Sequence, residues 1–250
     1  MAFLDAAFLL GCGSFILIMC SGVGAGVIII PLMVSILGIA PLEAVATGSL
    51  FAVITKILIM GIQRKTILAS KDIILGFLKY ALPACLLSAF FIIQIRNAFP
   101  LQTDATIKLL LIAATVLALL AFFDDRFSDW VNQQSGKLGS AVTGGLVGLT
   151  GVGGGVFVIP LILSQYSTSV KTAVAASIPI GLVLSASTGL MLSQGGFVSM
   201  STLISMSLGA VVAIPLGMLS VRYLSESWVR WLVAGLVSVA LANAVLALFH

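Results

Sequence analysis

Apolar residues run along this chain in stretches of roughly 20, the length that spans a hydrocarbon core of about 30 Å as a helix rising 1.5 Å per residue. Short polar clusters separate the runs: Arg64, Lys65, Lys71 and Asp72; Asp124, Asp125, Arg126 and Asp129; Arg222, Glu226 and Arg230. In lipid the backbone must satisfy its own hydrogen bonds, which leaves helices or closed barrels. Barrel strands alternate polar and apolar over about 10 residues. Leu109 to Phe123 and Trp231 to Phe249 show no alternation, so the runs are predicted as helices. The predicted spans are 3–20, 27–38, 42–62, 72–95 and 104–123, then 138–149, 156–166, 169–192, 198–221 and 228–249. Segments 27–38 and 156–166 are too short to cross alone. Each either completes its predecessor as one broken crossing or returns as a re-entrant element. The expectation is an all-α, polytopic transmembrane helical bundle of about eight full crossings.

The pattern repeats. Ser21-Gly-Val-Gly-Ala-Gly-Val-Ile-Ile-Ile-Pro31 aligns with Thr150-Gly-Val-Gly-Gly-Gly-Val-Phe-Val-Ile-Pro160, identical at seven of eleven positions. Thirteen residues after each proline stand Ala44-Val-Ala46 and Ala173-Val-Ala175; one gap later Ser49 meets Ser177 and Gly61 meets Gly189. The chain therefore divides into a first transmembrane repeat (1–123), a connecting loop (124–137) and a second repeat (138–250). Such repeats are typical of secondary transporters, whose substrate site lies near the repeat interface. An odd number of crossings per half would invert the repeats and an even number would make them parallel. Lys and Arg on alternate loops show no decisive excess, so the positive-inside rule does not orient the chain.

Composition supports lipid as the main solvent. Of the 250 residues 60% are hydrophobic and 8% charged, against about 25% charged in soluble domains. The net charge of +4 suits anionic headgroups and requires no nucleic acid. The apolar run from Phe3 lacks a basic leader and reads as a retained helix. Cys12, Cys20 and Cys85 lie in apolar runs without metal-ligand spacing. The single histidine is His250, so a triad or metal site has little to draw on. An intramembrane enzyme would need such a constellation, and neither an enzymatic role nor a cofactor or metal is expected.

The glycine breaks carry the strongest chemical signal. Gly22, Gly24 and Gly26 interrupt one hydrophobic run, and Gly151, Gly153, Gly154 and Gly155 interrupt the other. Irregular backbone at membrane depth is tolerated only where protein or water covers it. The half-helix that follows each break points the positive end of its dipole into the gap, which favours an anion without a charged side chain. Small-xxx-small packing is the rival reading, but it favours spacing of four over alternation. A nucleotide fingerprint needs a strand and a soluble helix, which neither half supplies.

The motif Gly-Val-Gly-Gly-Gly-Val-Phe-Val-Ile-Pro followed by Ala-Val-Ala-Ala-Ser, present in two versions, resembles the sulfite exporter (TauE/SafE) family of membrane permeases. The resemblance covers nearly the whole chain. It implies export or uptake of sulfur-containing anions such as sulfite, thiosulfate or an organosulfonate. Ala25 departs from the glycine triplet where the second half has Gly154, so the two half-sites are unequal.

Hydroxyls cluster around the breaks: Ser21, Thr47 and Ser49 in the first half, Thr150 and Ser177 in the second. They either donate to an oxyanion or back-bond to a helix carbonyl. Lys56 lies deep in an apolar span, where a charge usually faces a cavity or partner; the alternative is snorkelling toward Gln63, Arg64 and Lys65. Glu43 sits at a helix start, where a negative charge complements the dipole. Ser185, Ser187, Thr188, Ser193 and Gln194 give one span a polar stripe that suits an interior or water-lined face. Trp130, Trp228 and Trp231 flank spans as interfacial anchors do. Pro83 and Pro215 are candidate kinks.

The functional expectation is a secondary transporter in a bacterial inner membrane, working by alternating access about a midplane site. Its substrate-binding set is Ser21, Gly22, Gly24, Ala25, Gly26, Thr47, Ser49, Lys56, Thr150, Gly151, Gly153, Gly154, Gly155 and Ser177. Its expected partners are a small anion and membrane lipids, with a homodimer left open. An anion channel using the same site and a non-transporting assembly subunit are the alternatives.

Overall fold

The computed structural model describes residues 2–21, 25–68, 70–123, 136–152, 155, 157–166 and 168–223, with isolated positions 231, 235, 238 and 242. Among them the regular elements are helices: α1 (Ala2–Ser21), α2 (Ala25–Ile36), α3 (Pro41–Leu68), α4 (Lys71–Ala98), α5 (Pro100–Phe123), α6 (Gly136–Thr150), α7 (Val158–Tyr166), α8 (Val170–Gln194), α9 (Met200–Val212) and α10 (Ile214–Tyr223). The expected span 228–249 and most of the expected loop 124–137 lie outside the described residues. Where the loop was expected to end at 137, α6 already begins at Gly136.

Three helical stretches among the described residues are long and apolar enough to cross a membrane: Pro41–Gly61, Lys71–Ala98 and Thr172–Gln194. A fourth forms if Met200–Val212 and Ile214–Ser220, bent by 53°, count as one span. This bend divides the stretch 198–221, expected as a single helix. Its cause is local. Pro215 has no N–H and its ring conflicts with the carbonyl four residues back, so α9 closes at Ala213, whose N–H bonds to Gly209 O at 3.0 Å. Pro83, by contrast, lies inside α4 without ending it.

Helix directions follow from which residues meet. A methyl group on Gly11 would collide with the Met206 backbone, and one on Gly209 would strike Phe8 O and lie 3.0 Å from Cys12 N. Gly217 faces Phe15 and Met19. Numbers rise together, so α1 runs parallel to α9 and α10. Gly144 abuts the backbone of Ala81, and Gly148 that of Cys85, so α6 runs parallel to α4. The α3–α8 pair is antiparallel: Leu50 packs on Gly189 and Lys56 bonds Ser185. Lipid tails give helices no hydrophobic reason to associate, and small residues that admit close backbones supply the contact instead.

The second short helix folds back on its predecessor. Gln165 Nε2 at the end of α7 donates to Gly136 O at the start of α6 (3.0 Å), and Leu161 covers Gly139. The segment 136–166 is thus a hairpin with its glycine motif at the tip, not one broken rod. Gly48 meets Ile30 and Met33, which packs α2 against α3. Two apolar clusters result. One centres on Phe15, Ile28, Ile29, Ile30, Met33 and Phe51; the other on Phe77, Cys85, Val147, Ile162, Ile180 and Leu184.

The candidate site at the junction of the glycine motifs

At the end of α6, Gly151 still donates to Val147 O (2.7 Å), then turns the chain with φ +65°. That left-handed conformation carries a steric penalty for residues with a Cβ, and glycine escapes it. Thr150 braces the turn. Its Oγ1 donates to Leu146 O (2.7 Å) and accepts from Val152 N (3.2 Å).

The first turn of α2 comes directly against this turn. A methyl on Gly26 would overlap the carbonyl of Gly151 and stand 3.2 Å from Val152 Cα. The two motifs therefore meet backbone to backbone. From the other side a methyl on Gly151 would lie 2.6 Å from Ile30 Cδ1, 2.9 Å from Ser49 Oγ and 3.4 Å from Val45 Cγ1. The start of α2, the first half of α3 and the tip of the α6–α7 hairpin converge on one point.

Ser49 stands at that point. It is 1% exposed, and its Oγ has no hydrogen-bond partner. Hydroxyls in apolar surroundings nearly always find one. The other candidate hydroxyls with described side chains are occupied. Thr47 accepts from Ser199 N (3.0 Å) and so ties α3 to the chain entering α9. Ser177 back-bonds to Val174 O (2.8 Å). Gly155 O accepts from Ile159 N (3.1 Å) at the start of α7. Ala25 opens α2 and Ser21 closes α1, with side chains outside the described set. Gly22, Gly24, Gly153 and Gly154 also lie outside the described residues.

Lys56 is 5% exposed, and its Nζ donates to Ser185 Oγ at 3.2 Å across the α3–α8 interface. It does not snorkel. Seven residues separate it from Ser49, so both side chains share one face of α3, about 10 Å apart along the axis. Ser185 belongs to the polar stripe, which turns inward in part: Thr188 is also buried, bonding Leu184 O (3.1 Å) and sharing its hydroxyl with Cys85 Sγ at 3.3 Å. Sequence reasoning did not single out Thr115, a second buried hydroxyl without a partner. Its only signal was one hydroxyl within an apolar run.

Apolar helices whose backbone breaks meet inside the bundle, with an unpaired hydroxyl and a buried ammonium on one adjoining face, define a multi-pass membrane protein of the transporter class. The chain belongs to the sulfite exporter TauE/SafE family, whose model matches residues 7–244. That membership places it among transporters and not enzymes. No curated protein and no solved structure matches it.

Proposed function

We propose that the chain is a secondary carrier for small sulfur-containing anions such as sulfite, thiosulfate or an organosulfonate, in a bacterial inner membrane, with its site at the junction of the two glycine motifs. The observation that carries this reading is the unpaired Ser49 hydroxyl beside the Gly26–Gly151 contact. A negatively charged oxygen there would take the hydrogen bond that no protein group supplies, at the positive end of α2. Gly22, Gly24, Gly153, Gly154 and Gly155 would supply backbone close to the ligand. Thr150 and Ser177 would frame the site, Thr47 holds α3 to the chain entering α9 beside it, and Ser21 and Ala25 flank the first motif in sequence. Lys56, where it carries its proton, would add positive charge along the same face of α3.

The helix directions support an inverted repeat of 1–123 and 138–250 joined by 124–137. Exchanging the halves turns the α1–α9 pair into α6–α4 and maps α3 onto its antiparallel neighbour α8. In that reading α1–α2 and α6–α7 enter from opposite faces as re-entrant hairpins. The hairpins then add no full crossing, so the count would fall below the eight or so expected; the described residues hold three spans, or four with the bent pair. Tips that meet from opposite sides suit alternating access, because each hairpin closes the path on its own side. A membrane potential, negative inside, would drive an anion outward with about 2.3 kcal/mol per charge per 100 mV.

The test is flux in proteoliposomes with sulfite, thiosulfate, sulfate, sulfoacetate and taurine. A carrier gives saturable uptake accelerated by substrate on the opposite side. Conductance at channel rates would replace the carrier by a pore, and absence of flux with every anion would overturn transport.

A further inference from the structure

Away from the junction, the base of the α6–α7 hairpin and the first turns of α4 enclose a cavity of about 550 Å³ lined by Gly76, Lys79, Tyr80, Lys137, Gln165 and Tyr166, among others. Two lysines dominate it. Lys79 Nζ lies 5.8 Å and Lys137 Nζ 6.0 Å from the centre of the Tyr80 ring. One aromatic ring thus gathers two ammonium groups that repel each other. Among the described residues none that lines the cavity is acidic. Asp72 stands seven residues before Lys79 on α4 and is not among them.

The surroundings are those of lipid. Lys79 is exposed on the same stripe of α4 as Leu75, Leu86 and Phe90. Leu75 and Leu138, neighbours of the cavity wall, are each 56% exposed. Gly76 has no side chain to block the space beside the Tyr166 hydroxyl. The hydroxyls of Tyr80 and Tyr166 bring donors to the same opening, as tyrosines do at the headgroup level. Paired ammoniums next to exposed leucines match an amphiphile whose head is anionic. A free oxyanion would account for the lysines but not for the apolar rim.

We infer that this cavity binds the phosphate headgroup of an anionic lipid, with Lys79 and Lys137 holding the phosphate and Leu75 and Leu138 lying along the acyl chains. The site holds whether or not the junction carries an anion, since it needs only a chain embedded in a membrane. Basic pockets between helices are general headgroup receptors.

The experiment measures the unfolding midpoint of the purified full chain in neutral detergent while phosphatidylglycerol, phosphatidylcholine or inorganic phosphate is added. The expected result is a saturable rise of several degrees with phosphatidylglycerol and little change with phosphatidylcholine. Lys79→Gln combined with Lys137→Gln should remove most of that rise, and Lys71→Gln, outside the cavity, should keep it. Both lysines are exposed, so neither substitution disturbs the core. An equal response to the two lipids, or a rise that survives in the double variant, would overturn the site. If inorganic phosphate alone reproduces the full rise, the ligand is a free oxyanion and the lipid assignment falls. None of these outcomes depends on transport.

Discussion

Ser49 gives two effects of opposite sign from one substitution. In the empty protein its hydroxyl is buried and without a partner, and such a group costs about 1–3 kcal/mol of lost hydration. Ser49→Ala removes that penalty and leaves the packing of α3 unchanged. The variant is expected to gain about 1 kcal/mol, which for a chain of this size moves the unfolding midpoint up by about 2–4 °C. With anion bound the balance reverses. A hydrogen bond to a charged group contributes about 1.5–3 kcal/mol, so the alanine variant should bind its anion roughly 10- to 100-fold more weakly.

The assay pairs thermal unfolding of the detergent-purified protein with the dependence of proteoliposome flux on anion concentration. The result expected is a more stable, poorer transporter, in which added sulfite raises the midpoint less than in the parent. A variant less stable than the parent would mean that Ser49 has a structural partner. An unchanged half-saturation concentration would remove Ser49 from the site.

Three further outcomes follow from the same geometry. Gly151→Ala combines left-handed backbone, about 1–2 kcal/mol, with overlap on Ile30 Cδ1 at 2.6 Å and Ser49 Oγ at 2.9 Å, about 1–3 kcal/mol more. Adding Ile30→Val removes that Cδ1 and should restore about 1 kcal/mol of denaturation stability. Lys56→Gln should leave the protein monodisperse but weaken anion half-saturation about tenfold, since a unit charge at about 10 Å contributes roughly 1.7 kcal/mol at an effective dielectric of 20; unchanged kinetics would exclude the charge. Thr47→Val deprives Ser199 N of its acceptor and should lower stability by about 1–2 kcal/mol with little change in half-saturation, measured by unfolding and flux on the same preparation.

The helices were legible because lipid imposes their length, and the spans at 3–20, 42–62 and 72–95 end within a few residues of α1, α3 and α4, apart from the extension of α3 to Leu68. The bend at Ala213 was less so. Pro83 and Pro215 look alike in sequence, yet only the second divides a helix. The two glycine motifs do meet at one junction, but their composition does not say which hydroxyl remains free. Thr47, Thr150 and Ser177 have the same chemistry as Ser49, and their partners are Ser199 N, Leu146 O and Val174 O. Two of those are local back-bonds that any helix offers. The bond from Ser199 joins positions 152 residues apart, and no local pattern encodes it. Lys56 was ambiguous for the same reason, because its partner Ser185 is 129 residues away.

The direction of the short helices decides more than any single side chain. If 156–166 had continued α6 as a broken crossing, each half would hold an even number of spans and the repeats would be parallel. Charge counting could not choose, because the loops carry balanced Lys and Arg. The bond from Gln165 to Gly136 does choose for the second half: helix ends in contact require the chain to have turned back. In the first half, the contacts of Ile30 and Met33 with Gly48 show α2 packed on α3, and the return of α2 along α1 belongs to the proposed repeat. In the proposed inverted arrangement such a hairpin enters and leaves on one face and adds no crossing, which leaves an odd number of spans in each half. That arrangement would bring the glycine motifs to the junction from opposite faces, and their contact at Gly26 and Gly151 sets the left-handed turn against protein backbone. An inverted pair also presents the substrate with the same elements from either side, which is the symmetry alternating access needs.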